Sequence, residues 1–142
     1  MLITNHVLSG AVIGASSPEV VSAFARGFVS HLVLDALPHF GVDEEHFLKV
    51  AVPDGLVGLA MIGLVVRRTP FPALPRVLAG IAGACLPDLD KPGRFFFARS
   101  PFPRWFDRAH AAIQPEASHR LPMEVAAAVV FAVALEEILR RS

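Results

Sequence analysis

The chain has 142 residues, 54% of them hydrophobic and 18% charged, with a mean hydropathy of +0.53. That length points to one domain, residues 1–142, and that composition is apolar for a soluble domain yet polar for a bundle made only of membrane spans. Thirteen basic and thirteen acidic side chains cancel, so no global field argues for nucleic acid, and a lone Cys85 excludes an internal disulfide framework.

Residues 4–15 predict a first short helix that Thr4 or Asn5 can cap, with Gly10 and Gly14 forming a small face for close helix approach. Ser16-Ser17-Pro18-Glu19 predicts the start of a second helix. Ser16 and Glu19 have capping-box spacing, and Pro18 suits the first turn. This helix is expected to run to about Leu37, because Pro38 disfavours helical geometry in the residue before it. His39 then falls at the edge or just beyond. Asp43-Glu44-Glu45 suits the N-terminus of a third helix over about 44–67, where Pro53 predicts a kink or break. A fourth helix is expected over about 75–86, stopped at Pro87-Asp88-Leu89-Asp90. Residues 91–118 are aromatic, basic and punctuated by proline. They read as a long loop with one turn of helix near 103–112. A fifth helix over about 121–140 has Pro122 in its first turn and Arg140-Arg141 at its dipole end. No strand-like alternation appears. The expected fold is all-α, a compact bundle of about five helices.

The longest uncharged runs, 55–66, 77–87 and 125–135, fall short of the ~20 residues of a membrane span. Admitting one carboxylate lengthens two of them: 50–66 then includes Asp54, and 121–135 includes Glu124. Intramembrane carboxylates are rare and tend to be functional. Basic residues after the third and fifth helices, and in 91–108, suit cytoplasmic ends or anionic headgroups. The bundle is therefore expected to be partly membrane-embedded or membrane-associated, with membrane lipid as a partner.

Chemistry concentrates in the segment Ser30-His31-Leu32-Val33-Leu34-Asp35-Ala36-Leu37-Pro38-His39. His31, Asp35 and His39 are four apart, hence near one helical face. Imidazole and carboxylate are ligands for Zn²⁺, Mn²⁺ and Fe²⁺. A polar stripe facing water, or an internal His–Asp pair, would give the same spacing. Six residues in or beside apolar helices are candidate metal ligands: His6, His31, Asp35, His39, Asp54 and Asp88. With no cysteine among them, the site would be of the His/carboxylate kind that keeps an open position. Three His and three Asp could hold two metals with a shared water. Asp54, beside the proline break, and Asp88 are also candidate catalytic residues. His119 is a third, placed to complete a site or orient a substrate. Glu124 stands out as an acid in an apolar helix. Asp90 is either a ligand or the partner of Lys91. Arg26 is open to a structural pairing or a phosphate contact. His110, His46, Asp43 and Asp107 read as solvated, and Cys85 as a buried structural thiol.

The order of an early His6, then Ser-His-Leu-Val-Leu-Asp-Ala-Leu-Pro-His, then Pro-Asp-Leu-Asp, then a late His resembles the bacterial membrane-bound metal-dependent hydrolases. These are also described as LexA-binding, inner-membrane-associated hydrolases, and look like distant relatives of the all-α zinc-dependent phospholipase C enzymes. The resemblance covers roughly residues 3–124. It implies a divalent metal, zinc first with Mn or Fe as alternatives, and a location at the bacterial inner membrane or its cytoplasmic face. It also implies hydrolysis of a phosphoester or lipid-like substrate. Longer members carry a His-Arg-Gly-x-Thr-His-Ser element; the nearest match here, Ser118-His119-Arg120, lacks the glycine, the threonine and the second His. The competing expectation is a non-catalytic membrane helical protein whose His/Asp cluster is structural or regulatory. An open cluster favours the enzyme, and a closed, fully satisfied one favours the alternative. Oligomeric state is not indicated.

Overall fold

A computed structural model describes residues 1–141, and among them the fold is all-helical. Seven α-helices follow one another: α1 (Ile3–Ser16), α2 (Val20–Asp35), α3 (Glu44–Arg68), α4 (Leu74–Cys85), α5 (Asp90–Phe97), α6 (Arg104–Ala112) and α7 (Leu121–Arg141). Short 3₁₀ turns at Pro87–Leu89 and Ser118–Arg120 precede α5 and α7. The region expected to be a long loop with one turn of helix near 103–112 thus holds a full helix there, α6, and a further one, α5. Pro92 sits in the first turn of α5, where its missing N–H costs nothing. Phe95 stacks on Phe47 of α3 at 4.8 Å, which holds the short helix against the bundle.

Several local expectations give way to tertiary partners. Ser16 and Ser17 do not open α2. Their hydroxyls donate back to the carbonyls of Val12 and Ile13 at 2.9 and 2.7 Å, so they finish α1. Neither Thr4 nor Asn5 caps α1. Its first N–H groups donate instead to the carboxylate of Asp54 on α3, at 2.6 Å from Ile3 and 3.4 Å from Thr4. Helix α3 runs through Pro53 without a break, because that residue lies on an exposed face where water can serve the orphaned carbonyl. The start of α3 follows its sequence: Asp43 accepts from the His46 N–H at 3.0 Å, with Glu44 and Glu45 in the first turn.

The centre of the bundle is α4, which lies between α1 and α2. Small residues allow this. A Cβ on Gly10 would stand 2.6 Å from the Gly80 carbonyl oxygen and 2.8 Å from Ile81 Cα. No side chain fits there without moving backbone. Val7, Ala11, Val77 and Ile81 fill the core beside this seam, joined by Val65 of α3 and Leu135 of α7. Helices α3 and α7 touch the core along a narrow edge, burying Gly58 and Val65 on one and Glu124 and Leu135 on the other. Their remaining apolar side chains, Leu56, Leu59, Val130 and Val133 among them, face outward. Helix α3 is the one described helix long and apolar enough to cross a membrane, with a mean hydropathy of 1.8 over its best window.

Candidate metal centre

Helix α2 delivers His31 and Asp35 to one end of the bundle, and both are fully buried. Helix α1 brings His6 against them, α4 and its following turn bring Asp88, and α6 brings His110. Asp35 lies at the centre. Its Oδ2 is 3.1 Å from His31 Nε2 and 3.1 Å from His110 Nε2, and its Oδ1 is 3.0 Å from His6 Nε2. Gln114 donates to Oδ2 at 2.6 Å, and the Met1 ammonium stands 2.7 Å from Oδ1. Burial alone would push the Asp35 carboxyl up. The imidazoles of His110, His31 and His6 outweigh it and hold the group well below the usual carboxylate range. Burial pushes His6 below its ordinary value, against the pull of Asp35, so it is a neutral imidazole near pH 7.

The protons define which atoms are available. His31 Nδ1 lies 2.6 Å from the Ala84 carbonyl, which only accepts, so Nδ1 carries the hydrogen and the neutral ring presents a lone pair at Nε2. This is the arrangement found behind metal-bound histidines, where the second nitrogen donates to a carbonyl and fixes the ring. His31 Nε2 is 2.9 Å from His110 Nε2, and Asp88 Oδ1 completes the group at 4.0 and 3.9 Å from them. All four ligand atoms of His31, Asp35, Asp88 and His110 lie within 4.8 Å of one another. A tetrahedral metal with bonds of about 2.0–2.2 Å separates its ligands by roughly 3.3–3.6 Å. The edges of this group bracket that spacing, three slightly short and two slightly long. Two nitrogens and two carboxylates can therefore hold a divalent metal ion with small adjustments of Asp88, which is 18% exposed and the least confined of the four.

The centre opens on one side. A groove of about 660 Å³ runs between α1, α3 and α5, walled by apolar side chains such as Phe47, Leu56 and Phe95. Asp88, Gln114 and Lys91 also line it. Lys91 Nζ is 3.6 Å from Asp88 Oδ1 and 3.2 Å from Asp90. Cys85 lines the groove as well, but burial pushes its thiol up to about 12, which leaves it protonated and a poor nucleophile.

Four of the six expected ligands, His6, His31, Asp35 and Asp88, come together here. The other two do not. Asp54 lines the groove, but its oxygens accept from Ile3, Thr4 and the Thr4 hydroxyl, so it is the cap of α1. His39 is fully buried beyond the C-terminus of α2. Its Nδ1 bonds the Leu37 carbonyl at 2.8 Å and its Nε2 stands 3.5 Å from Glu116. Pro38 ends the helical register that would have placed it beside His31 and Asp35. His119 lies exposed on a 3₁₀ turn and supplies no atom to the group, and Asp54 lines the groove with its carboxylate engaged by the start of α1. Asp90 pairs with Lys91 and Arg94 rather than the cluster. Glu124 is buried without a cation. It accepts from Leu2, Asn5 and Phe40, which clamps the start of α1, and so His6, to α7. The sequence reading missed His110 and Gln114. The signal was present: Phe102, Phe106 and His110 recur every four residues, and their rings pack in succession at 4.7 and 6.1 Å. No protein-family model, no curated protein and no solved structure matches this chain.

Proposed function

We propose that this protein is a divalent-metal-dependent hydrolase of a phosphoester carried on a lipid-like substrate, working at a membrane. The observation that carries the reading is the convergence of His31, Asp35, Asp88 and His110 at the polar end of an apolar groove. Two imidazoles and two carboxylates without a thiolate suit Zn²⁺, with Mn²⁺ and Fe²⁺ as alternatives. Bound there, such an ion would supply Lewis acidity, and it would activate a water on expanding its shell beyond the four protein ligands. The chain supplies the rest. His31 is fixed by Ala84, and Gln114 orients both Asp35 and His110 through contacts of 2.6 and 3.0 Å. Lys91 lines the groove beside Asp88 and suits a substrate phosphate. The walls of the groove exclude water and match an acyl chain.

The motif resemblance supports this class of chemistry, and the outward apolar faces support the membrane. Phe96, Phe97 and Trp105 are exposed around Arg99, Arg104 and Arg108, a mixture that settles at headgroup level. This is consistent with the bacterial inner membrane or its cytoplasmic face. One observation favours the non-catalytic alternative: Asp35 is fully buried and has a donor on each oxygen, as a purely structural hub would. Reporter hydrolysis separates the two. The purified chain in detergent should cleave a phosphodiester or phosphomonoester, lose activity to a chelator and regain it with Zn²⁺ or Mn²⁺. Asp35→Ala should lose metal and activity, while Glu137→Ala, on the exposed face of α7, should keep both. A metal-loaded protein inert towards phosphoesters, esters and amides would establish the structural role instead.

A further inference from the structure

Helix α5 carries Phe95, Phe96 and Phe97 in succession. Successive residues on an α-helix stand about 100° apart, so three in a row cannot share one face. Packed against the bundle, α5 hides only part of them. Phe95 stacks flat on Phe47 of α3, with centroids 4.8 Å apart and planes 4° from parallel. Phe96 and Phe97 stay 68% and 75% exposed. Burial of these two needs an apolar phase on the solvent side of α5. The neighbouring charge says which. Arg99, Arg104 and Arg108 are exposed on the adjoining segment. The one acid between residues 91 and 112, Asp107, is engaged by Arg94 at 3.0 Å and by Ser100 at 2.9 Å. The outward field is therefore positive, and guanidinium groups interleaved with aromatic rings fit an anionic lipid surface.

The same helix covers the candidate site. Phe95 and Phe96 line the groove, and Lys91 sets its Nζ 3.6 Å from Asp88 Oδ1. Both ends of α5 are joints. The chain enters through the 3₁₀ turn at Pro87–Leu89 and leaves through Ala98, whose φ of 57° is a left-handed conformation that glycine takes freely and alanine does not. Helix α6, by contrast, is rooted, with Phe106 packed on Phe28 of α2 at 6.3 Å and His110 buried in the cluster.

We propose that α5 is a lid over the groove, held shut in water by the Phe95–Phe47 stack and drawn open by an anionic lipid surface. This rests on the reading of the groove and metal centre above and adds its regulation. At a bilayer all three phenylalanines find apolar surroundings, so Phe95 gives up Phe47 without returning to water. As α5 lifts, Lys91 leaves Asp88 and the groove opens on the side from which a lipid-like substrate arrives.

Spin labels on Phe97→Cys of α5 and Lys49→Cys of α3, in a full chain carrying Cys85→Ser, measure the opening directly. The nitroxide is itself apolar, so the label at 97 preserves the character of that position. Trp105, the sole tryptophan, reports docking through its emission. On phosphatidylglycerol vesicles the Trp105 emission should shift to the blue and the distance between the labels should lengthen. In water and on phosphatidylcholine vesicles both should stay unchanged. Phe95→Ala, which removes the latch, should give the long distance already in water, with helix content unchanged. A blue-shifted Trp105 with an unchanged distance would overturn the lid and leave α5 a fixed docking element. No response of either probe to phosphatidylglycerol would overturn it as well. The distance is read without metal or substrate, so opening in a protein that proves inert would uphold the lid and count only against hydrolysis.

Discussion

Helices α3 and α4 are both apolar, yet the protein treats them oppositely. Helix α4 buries Val77, Gly80, Ile81, Gly83 and Ala84 within 12 residues, whereas α3 buries Gly58 and Val65 within 25. The difference lies in side-chain size. Glycine and alanine on α4 let α1 and α2 approach to backbone contact, and that close seam holds His6, His31 and Asp88 in register. The valines and leucines of α3 keep it at arm's length, with its apolar bulk turned outward. Apolarity alone thus does not say where a helix ends up. The half that carries the ligands is packed against itself, and the other half keeps its apolar side chains turned outward.

Acid should break the packed half first and most. Asp35 is held below its ordinary 3.8 and His6 below its ordinary 6.5. In both cases the unfolded chain takes up a proton more readily than the folded one. The stabilisation is therefore complete above about pH 6.5 and is lost as pH falls, first through His6 and then through Asp35. The melting temperature of metal-free protein should drop as pH falls from about 7 to about 2, through His6 below 6.5 and through Asp35 only below 3.8, and His6→Phe should flatten the upper part of that slope. A melting temperature indifferent to pH over this range would show that these groups are not buried as described.

The same glycine substitution should then act with opposite sign in the two halves. Gly10→Ala forces a Cβ against the Gly80 carbonyl and should cost about 1–3 kcal/mol in chemical denaturation. Gly63→Ala on α3 meets nothing within 4 Å, and should stabilise by about 0.5–1 kcal/mol through helix propensity alone. Equal effects would erase the contrast between α4 and α3. The smallest effect on folding is expected from Leu59→Lys, at a position 67% exposed, which should stay within about 0.5 kcal/mol. Its binding to anionic liposomes should nevertheless fall sharply. Unchanged flotation would leave the outward face of α3 to some partner other than lipid.

What was legible in the sequence followed from local spacing. His31 and Asp35 stand one turn apart on an apolar helix, and the all-helical class follows from periodicity and the lack of strand alternation. His6 and Asp88 were visible as polar residues that apolar segments had no reason to carry. What was illegible depended on tertiary partners. Asp54 next to Pro53 reads as a site residue, but its carboxylate caps a different helix 50 residues away in sequence. Gln114 has no local signature at all. His110 was lost because the prolines of 91–118 suggested a long, solvated loop, although one turn of helix was expected near 103–112. In the structure Pro92 sits in the first turn of α5, and Pro103 immediately precedes α6.

His110 and His119 therefore give the most direct test of the metal centre, since the geometry selects the first and the sequence motif selected the second. Zinc content of the purified full chain should be measured for wild type, His110→Ala and His119→Ala. Metal should be retained in wild type and His119→Ala, and lost in His110→Ala with helix content unchanged. Full zinc occupancy in His110→Ala, or a wild type that stays metal-free in excess zinc, would contradict the account.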